Sequence, residues 1–397
     1  MGSTLGSIYN TVSYALHLHT EALVQLQEQA ATGSRINRPS DDPSAGYRVL
    51  GLDSQVRSLE NYMNNLSEVT DTLEISLTVI GDMTSAFLKV KRDLTQIASG
   101  IYGQDARERA AEEVNEILEQ IVFLANSKHM SQYLFGGSDT ASAPYVVERT
   151  DGEITRVTYQ GSDESLNIEV AAGVQSSAFY IGDDIFRSND RSTPGFLGDT
   201  GAEAGTGTSS INGYVWLEIT EPVAGTYRLS IDGGSSYVDV AVPPGSDNTM
   251  VTHADTGKVL YVDTTGITST GVELVNVAGT HDIFNSLITI RDILKNERGF
   301  ADTKVIELMN SAASSLEEIS NLLMQSSVTI GSKIGFLEDL KESVKNIKYN
   351  TEDETVRLQE ADIAQIAIDI ARREVLYQMS LAVAGRLMSM SLLDFIE

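Results

Sequence analysis

Apolar residues recur at three- and four-residue intervals near both ends of the chain and give way to strict alternation in its middle. Ile8, Val12, Ala15, Leu16, Ala22, Leu23, Leu26 and Ala30 form the first stripe, which predicts an amphipathic helix closing at Thr32-Gly33. Pro39 and Pro43 then fall four apart. A regular helix interior admits neither, so the segment 34–43 reads as an extended, ordered break. From about Asp53 to Ile101 a heptad rhythm runs through Val56, Leu59, Met63, Leu66, Leu73, Leu77, Ile80, Phe87, Leu94 and Ile97. It predicts a helix of roughly 45 residues, far above the globular norm. Gly100 and Gly103 end it, and Asp105 with Glu108 reads as a capping box for the next helix. That helix shows an apolar face of Ala110, Val114, Ile117, Ile121 and Leu124. A short connection makes the two helices an antiparallel pair.

The pattern changes near Tyr133. Between about Ala141 and Thr280, alternation predicts strands at 155–159, 166–170, 214–219, 227–231, 237–242 and 258–262. Asp151-Gly152 and Asp232-Gly233-Gly234 supply hairpin turns, and residues 199–210 read as a loop. Helical spacing returns at about His281 and, past an acidic patch at Glu352-Asp353-Glu354, resumes through Ile363, Ile366, Ile370, Leu376, Met379, Val383, Leu387, Met390 and Leu393.

The order is therefore helix, sheet, helix. A helix with one apolar stripe must bury it, and the simplest solution folds the chain back on itself with its ends side by side. The expected class is α+β and multidomain: a long antiparallel helical bundle or coiled coil built from both termini, with an all-β domain inserted between them. The expected divisions are 1–48 with 352–397 as a terminal coiled-coil domain, 49–140 with 281–351 as a helical rod, and 141–280 as a distal β domain.

Composition narrows the function. A net charge of −28 over 397 residues disfavours nucleic acid and anionic membranes as partners. The absence of cysteine removes disulfides, thiolate metal sites and cysteine nucleophiles together. The first 25 residues lack a basic segment followed by an apolar run, so no cleavable secretory signal is expected. Gly6 breaks the myristoylation pattern, and no apolar run is long enough for a spanning helix.

Candidate chemistry is sparse. His17 and His19 lie on nearly opposite sides of a helix and cannot share a metal. Asp41-Asp42 and Glu352-Asp353-Glu354 lack calcium-loop spacing and a fixed base, and read as turn, cap and solvation chemistry. The Gly136-Gly137 and Gly233-Gly234 pairs lack the lysine of a phosphate loop and read as turns. Met388 and Met390 suit adaptable packing at a subunit contact. No catalytic constellation, metal site or cofactor site is expected.

Three motifs carry a resemblance. The run from Thr32 to Pro43, TGSRINRPSDDP, resembles the linker after the first helix of bacterial flagellin-type axial proteins, and its proline-bearing form is closer to their hook-associated junction members. The passage from Leu124 to Ser138, LANSKHMSQYLFGGS, is similar to the exit from the helical domain in the same members. The C-terminus from Ala361 through Leu376 to Phe395 resembles the family's last helix. Gly2-Ser3-Thr4 departs from the family's usual start.

The resemblance implies a structural subunit of the flagellar hook–filament junction, exported by the flagellar apparatus with the help of a chaperone. It would form a ring with copies of itself, touching another hook-associated protein on one side and flagellin on the other. The assembly interface is expected at Ile8, Val12, Leu16, Leu23 and Leu26 on the first helix. On the last helix it is expected at Ile363, Ile366, Ile370, Leu376, Met379, Val383, Leu387, Met390 and Leu393. Arg35, Asn37, Pro39, Ser40, Asp41, Asp42 and Pro43 would form the inter-domain linker. Isolated helices of this kind are marginal, so both ends are expected to order on assembly. A flagellin-type filament subunit and a coiled-coil adhesin with a β binding head are the competing readings, and an enzyme has no residues to stand on.

Overall fold

A computed structural model describes residues 2–100 and 102–396, with side chains described at 7, 10–100 and 102–386. The chain opens with α1 (Gly2–Thr32), α2 (Pro43–Ser99) and α3 (Gln104–Ala125), followed by a small hairpin of β1 (Lys128–His129) and β2 (Gln132–Tyr133). Two further hairpins come next, β3 (Tyr145–Thr150) with β4 (Glu153–Tyr159) and β5 (Asn167–Ala171) with β6 (Val174–Ser177). After the short α4 (Gly182–Phe186) come β7 (Gly195–Leu197), β8 (Glu203–Ala204), β9 (Gly213–Val223), β10 (Thr226–Ser230) and β11 (Val238–Ala241). The strands end with β12 (Thr249–Thr252), β13 (Val259–Asp263) and β14 (Gly271–Val277). The chain then returns to helix as α5 (Ile283–Lys295), α6 (Asp302–Gln359) and α7 (Ile363–Ile396).

Two compact units result, 1–64 with 340–397 and 65–339. In the second, the heptad positions read from sequence become core: Leu66, Leu73, Ile80 and Phe87 of α2 are fully buried, as are Leu118 and Ile121 of α3. The helix α5 packs along α3. Five strands in the order β11-β10-β9-β14-β7 and three in the order β12-β13-β8 form two antiparallel sheets. One apolar core lies between them, with Leu217, Leu229 and Val275 from the first sheet and Val251, Leu260 and Val262 from the second. A ring cluster ties the β3–β4 hairpin and α4 to α5. Tyr145 lies 4.8 Å from Phe284, and Phe135 lies 5.0 Å from Phe186.

Local rules account for most boundaries. Gly33 follows α1 at φ 70°, the left-handed position that stops a helix without steric cost. Asp151 and Gly152 both take positive φ between β3 and β4, as a two-residue turn requires, and Gly233 and Gly234 do so within the longer connection from β10 to β11. Asp282 caps α5 by accepting from the Asn285 amide.

Four expectations are corrected. The second helix starts at Pro43, ten residues before the heptad becomes visible at Asp53. Proline suits a first helical turn, where its missing N–H has no partner to lose. The capping box at Asp105 does not form: Gly103 is the cap residue of α3, without a side-chain bond, and Asp105 lies inside the first turn. The acidic patch does not interrupt the helix, since α6 runs through Glu352-Asp353-Glu354 to Gln359. Arg48, Lys348 and Arg357 pair with Glu354, Glu352 and Asp353. Finally, β1, β2, β3, β6, β7, β8, β12 and β14 were not anticipated as strands.

Candidate assembly interface

Residues 33–42 join α1 to α2 through side-chain chemistry the sequence supplies locally. The Asp41 carboxylate accepts from the amides of Asn37 at 3.0 Å and Arg38 at 2.8 Å, and from the side chain of Gln25 at 3.3 Å. Asp42 caps α2 by accepting from the Ala45 amide at 3.0 Å, and Arg35 lies 3.3 Å from the same carboxylate. That amide, followed by the Arg35 guanidinium, holds the Asp42 carboxyl below its ordinary range. The side chains of Thr32 and Asn37 meet at 2.9 Å, and Arg38 pairs with Glu28 at 3.1 Å. Pro39 and Ser40 are exposed, and Pro43 opens α2.

The same linker is stitched to the far end of the chain. The Arg35 amide donates to the Gln359 carbonyl at 2.7 Å, and the Ala361 amide donates to the Gly33 carbonyl at 3.0 Å. Ser34 and Glu360 form an antiparallel bridge. This brings the C-terminal end of α1 beside the start of α7, and the two helices pack together running in opposite directions. The Arg373 guanidinium lies 3.3 Å from Nδ1 of His19. His17 instead approaches Glu21.

The predicted interface residues divide by burial. On α1, Val12, Leu16, Leu23 and Leu26 are half-buried, and on α7 Ile366 is buried while Ile370 and Leu376 are half-buried. Ile363, Met379 and Val383 are exposed, at 51%, 60% and 49%. The side chains of Ile8, Leu387, Met390 and Leu393 lie outside the described residues. Two open clefts run between the helices. One, of about 510 Å³, is lined by Ala22, Leu26, Arg372, Arg373 and Leu376. The other, of about 180 Å³, is lined by Val12, Ala15, Leu376, Met379 and Val383.

Reading one stripe per helix missed the other faces. Tyr14, Leu18 and Val24 on α1 and Ile368, Val375 and Leu381 on α7 are also large, apolar and exposed. The signal was present in the sequence, since both helices are apolar on more than the face that pairing can cover. Among the described residues no His, Asp and Glu cluster is placed to hold a metal ion. No helix there is long and apolar enough to cross a membrane.

Residues 5–140 match the bacterial flagellin N-terminal helical region. Among curated proteins, the chain is similar to flagellar hook-associated protein 3 of Escherichia coli, with 29% identity over 164 residues. That match covers 41% of this chain and 49% of the relative, so the chain spans about half the length of the curated relative. Two crystal structures share the fold. Xanthomonas campestris FlgL aligns over 77% of this chain and 99% of its own at 19% identity and a TM-score of 0.52. The hook-associated protein-3 of Legionella pneumophila aligns over 77% and 98% at 14% identity and a TM-score of 0.53.

Proposed function

We propose that the chain is a non-enzymatic structural subunit of the bacterial flagellar hook–filament junction. It assembles as a ring of identical subunits, with another hook-associated protein on the hook side and flagellin on the filament side. The observation that carries this reading is the surplus of apolar surface on α1 and α7. The two helices pack on each other, yet Tyr14, Val24, Ile368, Val375 and Met379 are each more than half exposed. Each large apolar side chain contributes about 1.5–3 kcal/mol when taken out of water. A surface of this kind is stabilised by neighbouring subunits, and its burial offsets the entropy cost of ordering a long segment.

The finer architecture belongs to the same proposal. The two termini act as a coiled-coil assembly domain, 1–48 with 352–397, and 49–140 with 281–351 act as a rod. An all-β domain, 141–280, is carried distally. The chain reaches the flagellum, outside the cell, with an export chaperone. The likeness to hook-associated protein 3 and the proline-bearing linker support a junction subunit over a filament subunit.

Deleting the gene tests the proposal: hooks without filaments and flagellin shed into the medium are expected. Normal filaments in a strain with no second copy would overturn it. The protein is also expected to be scarce in sheared flagella, whereas a filament subunit would dominate them.

A further inference from the structure

We propose that the outward face of α6 between Asn321 and Phe336 is a lateral contact surface for a second copy of this chain, a proposal that rests on the junction reading above. From Ile319 to Leu337 the sequence contains no carboxylate, and Lys333 is its only charged residue. Lys333 is used internally: its ammonium donates to the Ser177 carbonyl at 2.7 Å and sits 5.3 Å from the Tyr180 ring. What faces solvent is Asn321, Met324, Val328, Ser332 and Phe336, spaced three and four apart on one side of the helix, with the neutral Gln325 and Thr329 beside them. Met324, Val328 and Phe336 are 50%, 73% and 58% exposed. Ordinary solvated faces of this chain are different. The exposed side of α3 carries Glu112 and Glu116, and Glu317 and Glu338 resume the charge on either side of the neutral stretch.

Charge selects the occupant. Two copies of a chain with net charge −28 repel wherever their carboxylates meet. Burying those carboxylates without partners is costly. A basic partner would be met by a face rich in Asp and Glu, whereas a like-charged one can approach only where they are missing. The stripe is about 22 Å long and one helix wide, well below the roughly 800 Å² per partner of a stable pair. It therefore serves copies already held side by side by their terminal helices, not a dimer in dilute solution.

The cysteine-free sequence gives a direct test. In cells producing only a Val328→Cys variant, a benzophenone maleimide is attached at that position in sheared flagella and photo-activated. The expected product has twice the chain mass and yields peptides of this chain alone. Adding Phe336→Glu is expected to abolish it, while Phe336→Leu retains it. A probe on the acidic face, at Glu116→Cys, is expected to give none. If the protein is present in the flagella but the adducts join it only to other polypeptides, or do not form, the lateral contact is overturned and the junction reading survives. Absence of the protein from the flagella would overturn both.

Discussion

The backbone amide of Arg35 donates to the carbonyl of Gln359 at 2.7 Å, so the break after the first helix and the break before the last are one structure. Its geometry depends on Asp41, whose carboxylate holds the Asn37 and Arg38 amides. Asp41→Ala leaves both donors without that acceptor, and each such loss costs about 0.5–1.5 kcal/mol. The expected outcome is faster hydrogen exchange at those two amides and at Arg35, with helix content unchanged. Unaltered protection at all three would show that the linker is held by something other than Asp41.

His281 predicts a pH dependence in the larger unit. It is 1% exposed, its ring lies 4.6 Å from that of Tyr214, and its Nδ1 has no hydrogen-bond partner. Burial pulls its pKa below the ordinary value, outweighing the pull of Glu318 and Asp282 in the other direction. The sign follows from linkage. Above about pH 6.5 the imidazole is neutral in both states and contributes nothing. Below that value the unfolded chain takes up the proton first, so stability falls with pH until the folded pKa is reached. The melting temperature of the wild type is expected to drop between pH 7 and 5 more steeply than that of His281→Gln. Parallel profiles for the two would assign the acid sensitivity elsewhere.

What the sequence revealed and what it concealed follow from how local each cause is. The heptad in α2 was legible because Leu66, Leu73, Ile80 and Phe87 point into one core, and burial imposes the period. The strands at 214–219 and 227–231 were legible because Leu217, Ile219, Leu229 and Ile231 alternate into the shared core. β7 and β8 were not, because they are three and two residues long, too short for a period. Their pairing with β14 and β13 is decided by distant chain. Glu352-Asp353-Glu354 looked like a break because charge density was read as a boundary. Its ion-pair partners include Arg48, far away in sequence. At the candidate interface, only some of the predicted stripe residues face inward, Ile363, Met379 and Val383 being exposed, and further exposed apolar positions were missed. A single periodic stripe describes a helix with one partner, and α1 and α7 carry more apolar surface than one partner covers.

Arg291 shows how a charged residue can be part of the core without being a functional site. It is 3% exposed and donates to the Ile154 carbonyl at 2.7 Å and the Asn115 side chain at 3.0 Å, while its other nitrogens reach Asp292. Arg291→Met would fill much of the volume but leave the Ile154 carbonyl and the Asp292 carboxylate without that donor. Leaving a buried carbonyl and a partly exposed carboxylate without this donor costs about 1–3 kcal/mol. Chemical denaturation is expected to show a loss of that order. A loss below about 1 kcal/mol, the scale of an exposed pair, would mean that water replaces the guanidinium.

The assembly proposal makes its sharpest demand at Met379, which is 60% exposed and lines the smaller cleft between α1 and α7. A solvated methionine can be replaced by aspartate at little cost to the free protein, since surface substitutions usually stay within about 0.5 kcal/mol. In a ring, the same carboxylate would be buried against apolar neighbours and, being unpaired, would be costly. Met379→Asp is therefore expected to leave circular dichroism and melting of the purified protein unchanged. In cells it should shed flagellin into the medium and abolish swimming. Ser235→Asp, placed in the exposed turn after β10, adds the same charge and is expected to swim normally. Motile cells carrying Met379→Asp would show that this face of α7 remains solvated in the assembled flagellum, and the interface would have to be sought elsewhere on the chain.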